Sequence, residues 1–515
     1  MSLINTALHI YTSITPTTIG TIAVTCATAF IAYRLYLHPL SKFPGPKIAA
    51  VSRWYEFYYD VICGGAFVGQ LPELHRKYAE RLKGPIVRTA PNHVHVDDPE
   101  FFKEVFKSQT EYLKDPLFYQ NVGISESLLS ILNPHKHRVR RNIISPLFST
   151  QSMNKLMPLL QDNVERAASI LQKRYKEGKC TDIQNLYRCI TVDVISMSLF
   201  GSTEDLIGQL ENDIYPSILA TLDIFSKNLW LLKHVPILAK IALNLPEKYS
   251  EILAPGYQGF RNHCQNWINM VKARREKGIL QTEDGRTTVF DLLLEPNDEK
   301  SYQVPDMTAL VDEAFLFVIA GADSTAYTTA CATYHILTHE DVLSKLKTEL
   351  SGIPRHDNGR LDCKNIQSLP YLTCVVKESL RVASAIPGLL PRVVPPQGVT
   401  VQGKYIPGGS IVSSAIRTIS DNAELFPEPD KFKPERWLGD EGRDLERWNV
   451  AFSKGPRACI GINLAYMEIY IILATFFADF DMSLHGTDAK SMEWRDFGVA
   501  KNKSNVTVNA RPLRL

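Results

Sequence analysis

From Asp306 to His339 the chain has no proline and a single glycine, so the segment can form one uninterrupted helix of ~50 Å at 1.5 Å per residue. A rod of that length has to cross the core of any globule the chain builds. Phe315-Leu316-Phe317-Val318-Ile319-Ala320 is apolar on every side, as a buried helix requires. Gly321-Ala322-Asp323-Ser324-Thr325 then interrupts the apolar run. Burying a carboxylate and two hydroxyls is costly unless each finds a partner. Taken alone, the pentapeptide reads as a capped or kinked stretch whose hydroxyls bond to carbonyls one turn earlier.

The 515 residues are 45% hydrophobic and 22% charged, which supports a large core and excludes collagen-like and low-complexity chains. At ~150 residues per domain, three domains would be usual. No Gly/Ser linker or internal repeat divides the sequence, so one large domain is expected. Fifty-seven basic residues against 55 acidic ones leave +2, too weak a field for nucleic acid as the main partner. The nine cysteines are scattered without a CxxC pair, which fits reduced thiols rather than a disulfide framework or zinc module.

Met1 to Tyr33 contains no Asp, Glu, Lys or Arg, and Ile10 to Tyr33 is long enough to cross a bilayer core, which takes ~20 helical residues. A cleaved signal peptide is the rival, because Ala27-Thr28-Ala29 imitates a cleavage site, but the leading region lacks positive charge. An uncleaved anchor is expected. Arg34, Lys42, Lys47 and Arg53 all follow it, which leaves the bulk of the chain facing the cytoplasm. Phe43-Pro44-Gly45-Pro46 reads as a stiff elbow between anchor and globule. The expected division is residues 1–40 for the anchor and start of the hinge, and 41–515 for the catalytic domain.

Pro85 to Ala90 and Asn92 to Asp97 read as two strands, followed by a short helix from Pro99 to Phe106. His93 and His95 alternate on one strand face; without a third ligand they read as structural. The middle of the chain is mostly helical, with polar breakers at Arg275 to Thr288, Ser351 to Asp362 and Gly439 to Asp444. Pro391 to Ser420, rich in β-branched residues and glycine, reads as short strands and hairpins. The fold class expected is mainly α with small β-sheets.

The sharpest chemical signal is Phe452-Ser453-Lys454-Gly455-Pro456-Arg457-Ala458-Cys459-Ile460-Gly461, followed by an amphipathic run from Ile462 to Phe480. Cys459 stands at the entrance of a helix, where unpaired N–H groups, the dipole and the nearby Arg457 cation favour a thiolate. A thiolate is a ligand for a soft or borderline metal. Gly455 can turn the loop with positive φ, and Gly461 lets a flat cofactor approach the backbone.

This segment resembles the cysteine-ligand loop of the cytochrome P-450 haem-thiolate monooxygenases, FxxGxRxCxG. Five fixed positions in ten arise by chance in a chain of this length with a probability on the order of 10⁻⁴. Glu378-Ser379-Leu380-Arg381 is similar to the family's ExxR, where spacing three puts carboxylate and guanidinium on one helical face. Pro434-Glu435-Arg436-Trp437 is similar to the element whose arginine joins that pair. Ala320 to Thr325 resembles the oxygen-binding motif, with Ser324 where the family has threonine. The resemblance covers nearly the whole chain after the anchor.

It implies the cytochrome P-450 fold, with haem b (iron protoporphyrin IX) bound by Cys459 as the metal ligand. Phe452, Gly461, Arg457, Arg392, Arg141 and His137 would complete the haem site, the last four holding the propionates, with His137 standing where the family has tryptophan. Asp323 and Ser324, assisted by Thr325, would deliver protons to bound O2. The run His135 to Arg141 is also a candidate solvated face or docking site for an acidic redox partner.

The implied activity is insertion of one atom of O2 into a lipophilic substrate, with pocket walls at Phe118 to Ile124, Phe315 to Ala320, Ile386 to Leu390 and Phe497 to Val499. No dinucleotide or phosphate loop is found, so NADPH and flavins would act only through a separate NADPH-cytochrome P-450 reductase, with cytochrome b5 a second candidate donor. The likeness is greatest to microsomal enzymes of filamentous-fungal secondary metabolism, several of which oxidise terpenoids, which implies a single-pass endoplasmic reticulum protein facing the cytoplasm. Two rivals are a haem-thiolate isomerase or dehydratase acting without a reductase, and a non-catalytic membrane haem-binding sensor.

Overall fold

A computed structural model of the protein describes residues 15–79 and 84–513. Among these residues the principal helices are α1 (Pro16–Ala32), α2 (Pro134–Ile144), α3 (Thr150–Lys176), α4 (Ile183–Phe200), α5 (Ser217–His234), α6 (Tyr257–Glu276), α7 (Met307–Thr338), α8 (Glu340–Ser351), α9 (Pro370–Ala383) and α10 (Ile462–Asp479). The expected long helix is α7. Asp306 caps it, its side chain accepting the Ala309 N–H, and His339 ends it. It runs without a break through Gly321–Thr325: Ser324 Oγ donates to Ala320 O at 2.7 Å, one turn back, and the Thr325 hydroxyl meets the Glu468 carboxyl. Helices α4, α6, α9 and α10 pack around it and share one hydrophobic core with it.

Twelve short strands are described: β1 (Ile86–Ala90), β2 (His93–Val96), β3 (Leu113–Lys114), β4 (Thr181–Asp182), β5 (Arg392–Val393), β6 (Val399–Val401), β7 (Lys404–Ile406), β8 (Ile411–Ser413), β9 (Phe480–Leu484), β10 (Trp494–Phe497), β11 (Val499–Asn502) and β12 (Thr507–Pro512). The largest sheet has the order β1-β2-β8-β5-β3, with β2 and β8 parallel through Val94 and Val412. Its long-range pairings set Lys114 beside Arg392, residues nearly 280 positions apart. The mainly α architecture with small sheets is the one expected.

Two expectations are corrected. Gly439–Leu445 is a short helix rather than a breaker, with Asp440 and Glu441 in its first turn, where carboxylates favour a helix start. Ile416–Ser420, expected in the strand-rich stretch, is also helical, ending when the Asp421 N–H bonds to Arg417 O.

Helix α1 begins at Pro16 behind the Thr15 cap, and the helical backbone continues to Leu37. Every residue of Pro16–Ala32 is exposed, whereas Tyr33–Leu37 meets the globule at Lys47–Val51; residues 10–14 of the expected span lie outside the described ones. The elbow is held by Arg88, buried at the sheet edge. Its N–H bonds to Pro44 O, and its guanidinium donates to Arg34 O, Ala50 O and Pro91 O. Gly45 fits there because a Cβ would come within 2.2 Å of Arg88 O. His93 bonds Ser413 and His95 bonds His75, all buried, consistent with structural histidines.

Candidate functional site

The Cys459 loop lies just ahead of α10 and faces α7 across a cavity. Gly455 takes φ +72°, and any side chain there would run into Phe106 O at 2.4 Å. The Cys459 N–H closes the loop on Phe452 O at 3.0 Å. Helix α10 starts three residues later, and the Gly461 N–H points back at the thiol. The sulfur is surrounded by protein yet faces a cavity. Burial pushes the thiol up, while the Gly461 N–H and the Arg141 cation favour the thiolate. Arg141, which also donates to Ala458 O beside the thiol, is a cation that acts on the sulfur. A Cβ on Gly461 would meet only the Cys459 sulfur, at 3.9 Å, so the floor beside the thiol is flat.

At the rim of the cavity stand Arg141, Arg457 and His137, with Arg392 adjoining from β5. Lys114 of β3 joins them, a residue that sequence reasoning missed. Arg457 donates to Ile131 O and Leu132 O at 2.8 and 3.1 Å, Arg141 to Ala458 O at 2.9 Å, and Arg392 to the Tyr119 hydroxyl at 2.8 Å; Lys114 donates to Leu129 O. Each partner is neutral. Among the described residues none of these four cations has a carboxylate partner. Burial first, then Arg392 and Arg141, push Arg457 down to about 10. Burial and the three arginines hold Lys114 well below its ordinary value, and burial with Arg457, Lys114, Arg141 and Arg140 leaves His137 uncharged, pushed down to about 3. A buried cluster of cations without a counter-charge is built for an anionic group.

Across the cavity from Cys459, α7 contributes Leu316, Phe317, Ala320, Gly321, Ser324, Thr325 and Thr328. Asp323 is not on this wall. Its Oδ1 accepts from Arg188 Nε at 2.8 Å, Lys501 lies 3.6 Å from its Oδ2, and Arg188 holds Asp223 of α5 as well. The expected acid thus stands one residue behind the hydroxyls, tied to α4, α5 and β11. A second missed residue is Glu468 of α10, which lines the cavity, is buried, and leaves Oε1 without a hydrogen-bond partner. Burial raises its carboxyl well above the ordinary range, and its hydrogen-bonding neighbour is Thr325. The signal was present: Glu468 is the lone charge in an apolar helix until Asp479.

Of the expected pocket walls, Ile386 and Leu390 line this cavity, as do Leu316, Phe317 and Ala320. Phe315 turns away into a ring cluster with Phe225, Tyr257 and Phe260. Phe118–Ile124 and Phe497–Val499 are absent from its immediate lining, where Leu128 and Leu129 stand instead. On α9, Glu378 and Arg381 form the expected pair, bidentate at 3.0 and 2.8 Å. Arg436 joins at 3.1 Å and the Trp437 indole at 2.9 Å. Phe452 of the loop packs on Tyr466 and faces the cavity.

A flat floor beside a thiol and a rim of cations fit a planar, dianionic metal complex. Residues 62–510 match the family model described as Cytochrome P450. Cytochrome P450 monooxygenase aneF of Aspergillus aculeatus is 40% identical over 491 residues, covering 95% of this chain and 98% of that protein. Cytochrome P450 monooxygenase BOT1 of Botryotinia fuckeliana is 43% identical over 484 residues, 94% of this chain and 93% of that protein. Cytochrome P450 monooxygenase phqM of Penicillium fellutanum is 41% identical over 475 residues, 91% and 87% respectively.

Proposed function

The chain belongs to the cytochrome P450 family, a monooxygenase that binds haem b and draws electrons from a separate redox partner, and from that premise we propose that it oxygenates a lipophilic secondary-metabolite intermediate, such as a terpenoid, at a membrane surface. In this reading α1 anchors residues 1–40 in the endoplasmic reticulum and residues 41–515 form the catalytic domain on the cytoplasmic side. The exposed apolar helix and the basic residues that follow it support this orientation. Electrons come from an NADPH-dependent flavoprotein reductase, with cytochrome b5 as a further donor.

The observation that carries the proposal is the thiol of Cys459 on the cavity floor, with the Gly461 N–H behind it and an unbalanced cation rim beside it. Cys459 would bind the iron. Arg141, Arg392, Arg457 and Lys114 would hold the two propionates, with His137 adding a neutral ring N–H, and Gly461 and Phe452 would complete the haem site. When bound, haem supplies oxygen binding and activation, which thiolate ligation favours. Ser324 Oγ and Thr325 Oγ1, on the wall opposite Cys459, would hold water and pass protons into the cavity. Asp323, fixed by Arg188, replenishes them from the far side of α7, and the protonated Glu468 carboxyl backs Thr325. The apolar side chains of Leu316, Phe317, Ile386 and Leu390 exclude bulk water and favour an apolar substrate.

Dithionite and carbon monoxide test the core of this reading: the intact protein should give a strongly red-shifted Soret band, and Cys459→Ala should abolish it. A wild-type sample with bound haem and no such band overturns thiolate ligation. Turnover of NADPH by the purified chain alone overturns the separate reductase, and product formation without NADPH favours an isomerase or dehydratase.

A further inference from the structure

Residues 120–133 form neither helix nor strand, yet they supply Leu128 and Leu129 to the cavity above Cys459. A wall without regular structure keeps its place through the groups that hold its backbone. On one side these are rim cations: Leu129 O accepts from Lys114, and Ile131 O and Leu132 O accept from Arg457. On the other side they are two adjacent acids of α7, Asp312 and Glu313, 2% and 1% exposed. Asp312 Oδ2 accepts the Glu126 N–H at 3.0 Å, and Glu313 Oε2 accepts the Leu128 N–H at 2.8 Å. The bond from Glu313 thus falls on a residue of the cavity wall itself.

Burying two neighbouring carboxylates is costly, and their surroundings offset the cost unevenly. Arg261 of α6 pairs with Asp312. Arg140 of α2 reaches Glu313 Oε2 at 3.2 Å and also bonds Glu126 O, so it grips the loop as well as the acid. Glu313 Oε1 has no hydrogen-bond partner among the described residues. Burial pushes this carboxyl up to about 7, against the pull of Arg140 and the Leu128 N–H. The position along the helix is telling. Glu313 precedes Leu316 and Phe317 by three and four residues, so it stands one turn ahead of the two on the face that lines the cavity. One face of α7 therefore forms one wall and suspends the next.

We propose that Glu313 and Asp312 are positioning residues for the substrate pocket: by accepting backbone N–H groups of an irregular segment, they fix the wall that Leu128 and Leu129 form. This rests on the monooxygenase reading and deepens it. Hydrogen bonds to an ionised acceptor are the strong kind, suited to holding a loop that has no ladder of its own. A wall held in advance spares a ligand the cost of ordering it. A ligand too small to reach the wall gains nothing from it.

The test uses the haem-loaded full chain and two nitrogen ligands of different reach, imidazole and 4-phenylimidazole, titrated by the shift of the Soret band. The wild type should bind 4-phenylimidazole about tenfold or more tightly than imidazole, the scale of burying one phenyl ring. Glu313→Leu should erase most of that preference by weakening 4-phenylimidazole alone. Glu313→Gln, whose amide oxygen still accepts the Leu128 N–H, should keep most of it. Leu129→Ala trims the wall directly and should reproduce the loss; added to Glu313→Leu it should cost little more, because both changes act through one wall. Hydrogen exchange decides the matter without any variant: the Glu126 and Leu128 amides of the wild type should exchange at least about tenfold more slowly than in the unfolded chain. Unprotected amides, a wild type with no preference for the larger ligand, a preference unchanged in Glu313→Leu, or Glu313→Gln falling as far as Glu313→Leu overturns the assignment. Those failures with the carbon-monoxide band intact indict the two acids alone, whereas loss of the band in the wild type indicts the haem-thiolate reading.

Discussion

Glu378 and the rim of the cavity are both buried charge, built in opposite ways. Around Glu378 every demand is met: both oxygens are shared among Arg381, Arg436, the Trp437 indole and the Lys433 N–H. Burial works against the ionised carboxyl, but these partners hold it below the usual glutamate range. At the rim, Lys114, Arg141, Arg392 and Arg457 have only neutral partners. A closed network stabilises the chain that contains it, whereas an unbalanced one stores repulsion until a ligand cancels it. The first region ties α9 to the Lys433–Trp437 segment, and the second is open to an anionic group.

The largest effect should come from breaking the closed network. Glu378→Gln leaves two buried guanidinium groups without their anion, and one-sided loss of a buried pair costs about 3–5 kcal/mol. Denaturant unfolding of the haem-loaded protein should show that loss, with Arg381→Lys unable to restore it because a lysine cannot make the bidentate contact. A variant as stable as the wild type would mean that the network is not scaffold.

Next in size is a residue that is neither scaffold nor rim. Asp323→Asn keeps the shape of the Arg188 contact but replaces the carboxylate with an amide that cannot pass protons on. Turnover with a complete reductase system should fall about 100-fold, the lower end of what positioned proton transfer contributes. The carbon-monoxide spectrum should not change. Unchanged turnover would leave proton delivery to Glu468 and Thr325.

The rim itself should show a more modest effect of a different kind. Lys114→Met removes one cation of an uncompensated set, so the folded chain loses little, but haem should transfer to a haem-free globin about tenfold faster, one charge-assisted hydrogen bond's worth. Equal transfer rates would remove Lys114 from the propionate site.

The same contrast explains what could be read in the sequence. Helix α7 was legible to its caps because burial and helical periodicity are local signals, and so was the Glu378–Arg381 pair, three residues apart on one face. The Cys459 loop was legible because its chemistry is packed into ten residues. Lys114 was not: its place depends on β3 pairing with β5 across the whole chain, and nothing in Leu113-Lys114-Asp115 announces it. Asp323 was found, but its side of α7 was not, since Arg188, Asp223 and Lys501 come from three distant segments. Phe315 was assigned to the wall because sequence shows that a helix is apolar all round without showing which arc meets the cavity.

The smallest effect separates the two regions by acid. Glu378 has a folded-state pKa below the ordinary glutamate value of 4.5, so its contribution is fully present above that pH and is lost as the pH falls beneath it. The stability gap between the wild type and Glu378→Gln should therefore stay constant at neutral pH and narrow only below about 4.5. Compared as haem-free chains, so that no propionate titrates, Lys114→Met should show no such narrowing, because among the described residues no carboxylate pairs with Lys114. Urea unfolding of the three proteins across the acid range measures both gaps at once. Parallel narrowing in both variants would mean that a carboxylate reaches the rim and that the two regions share one network.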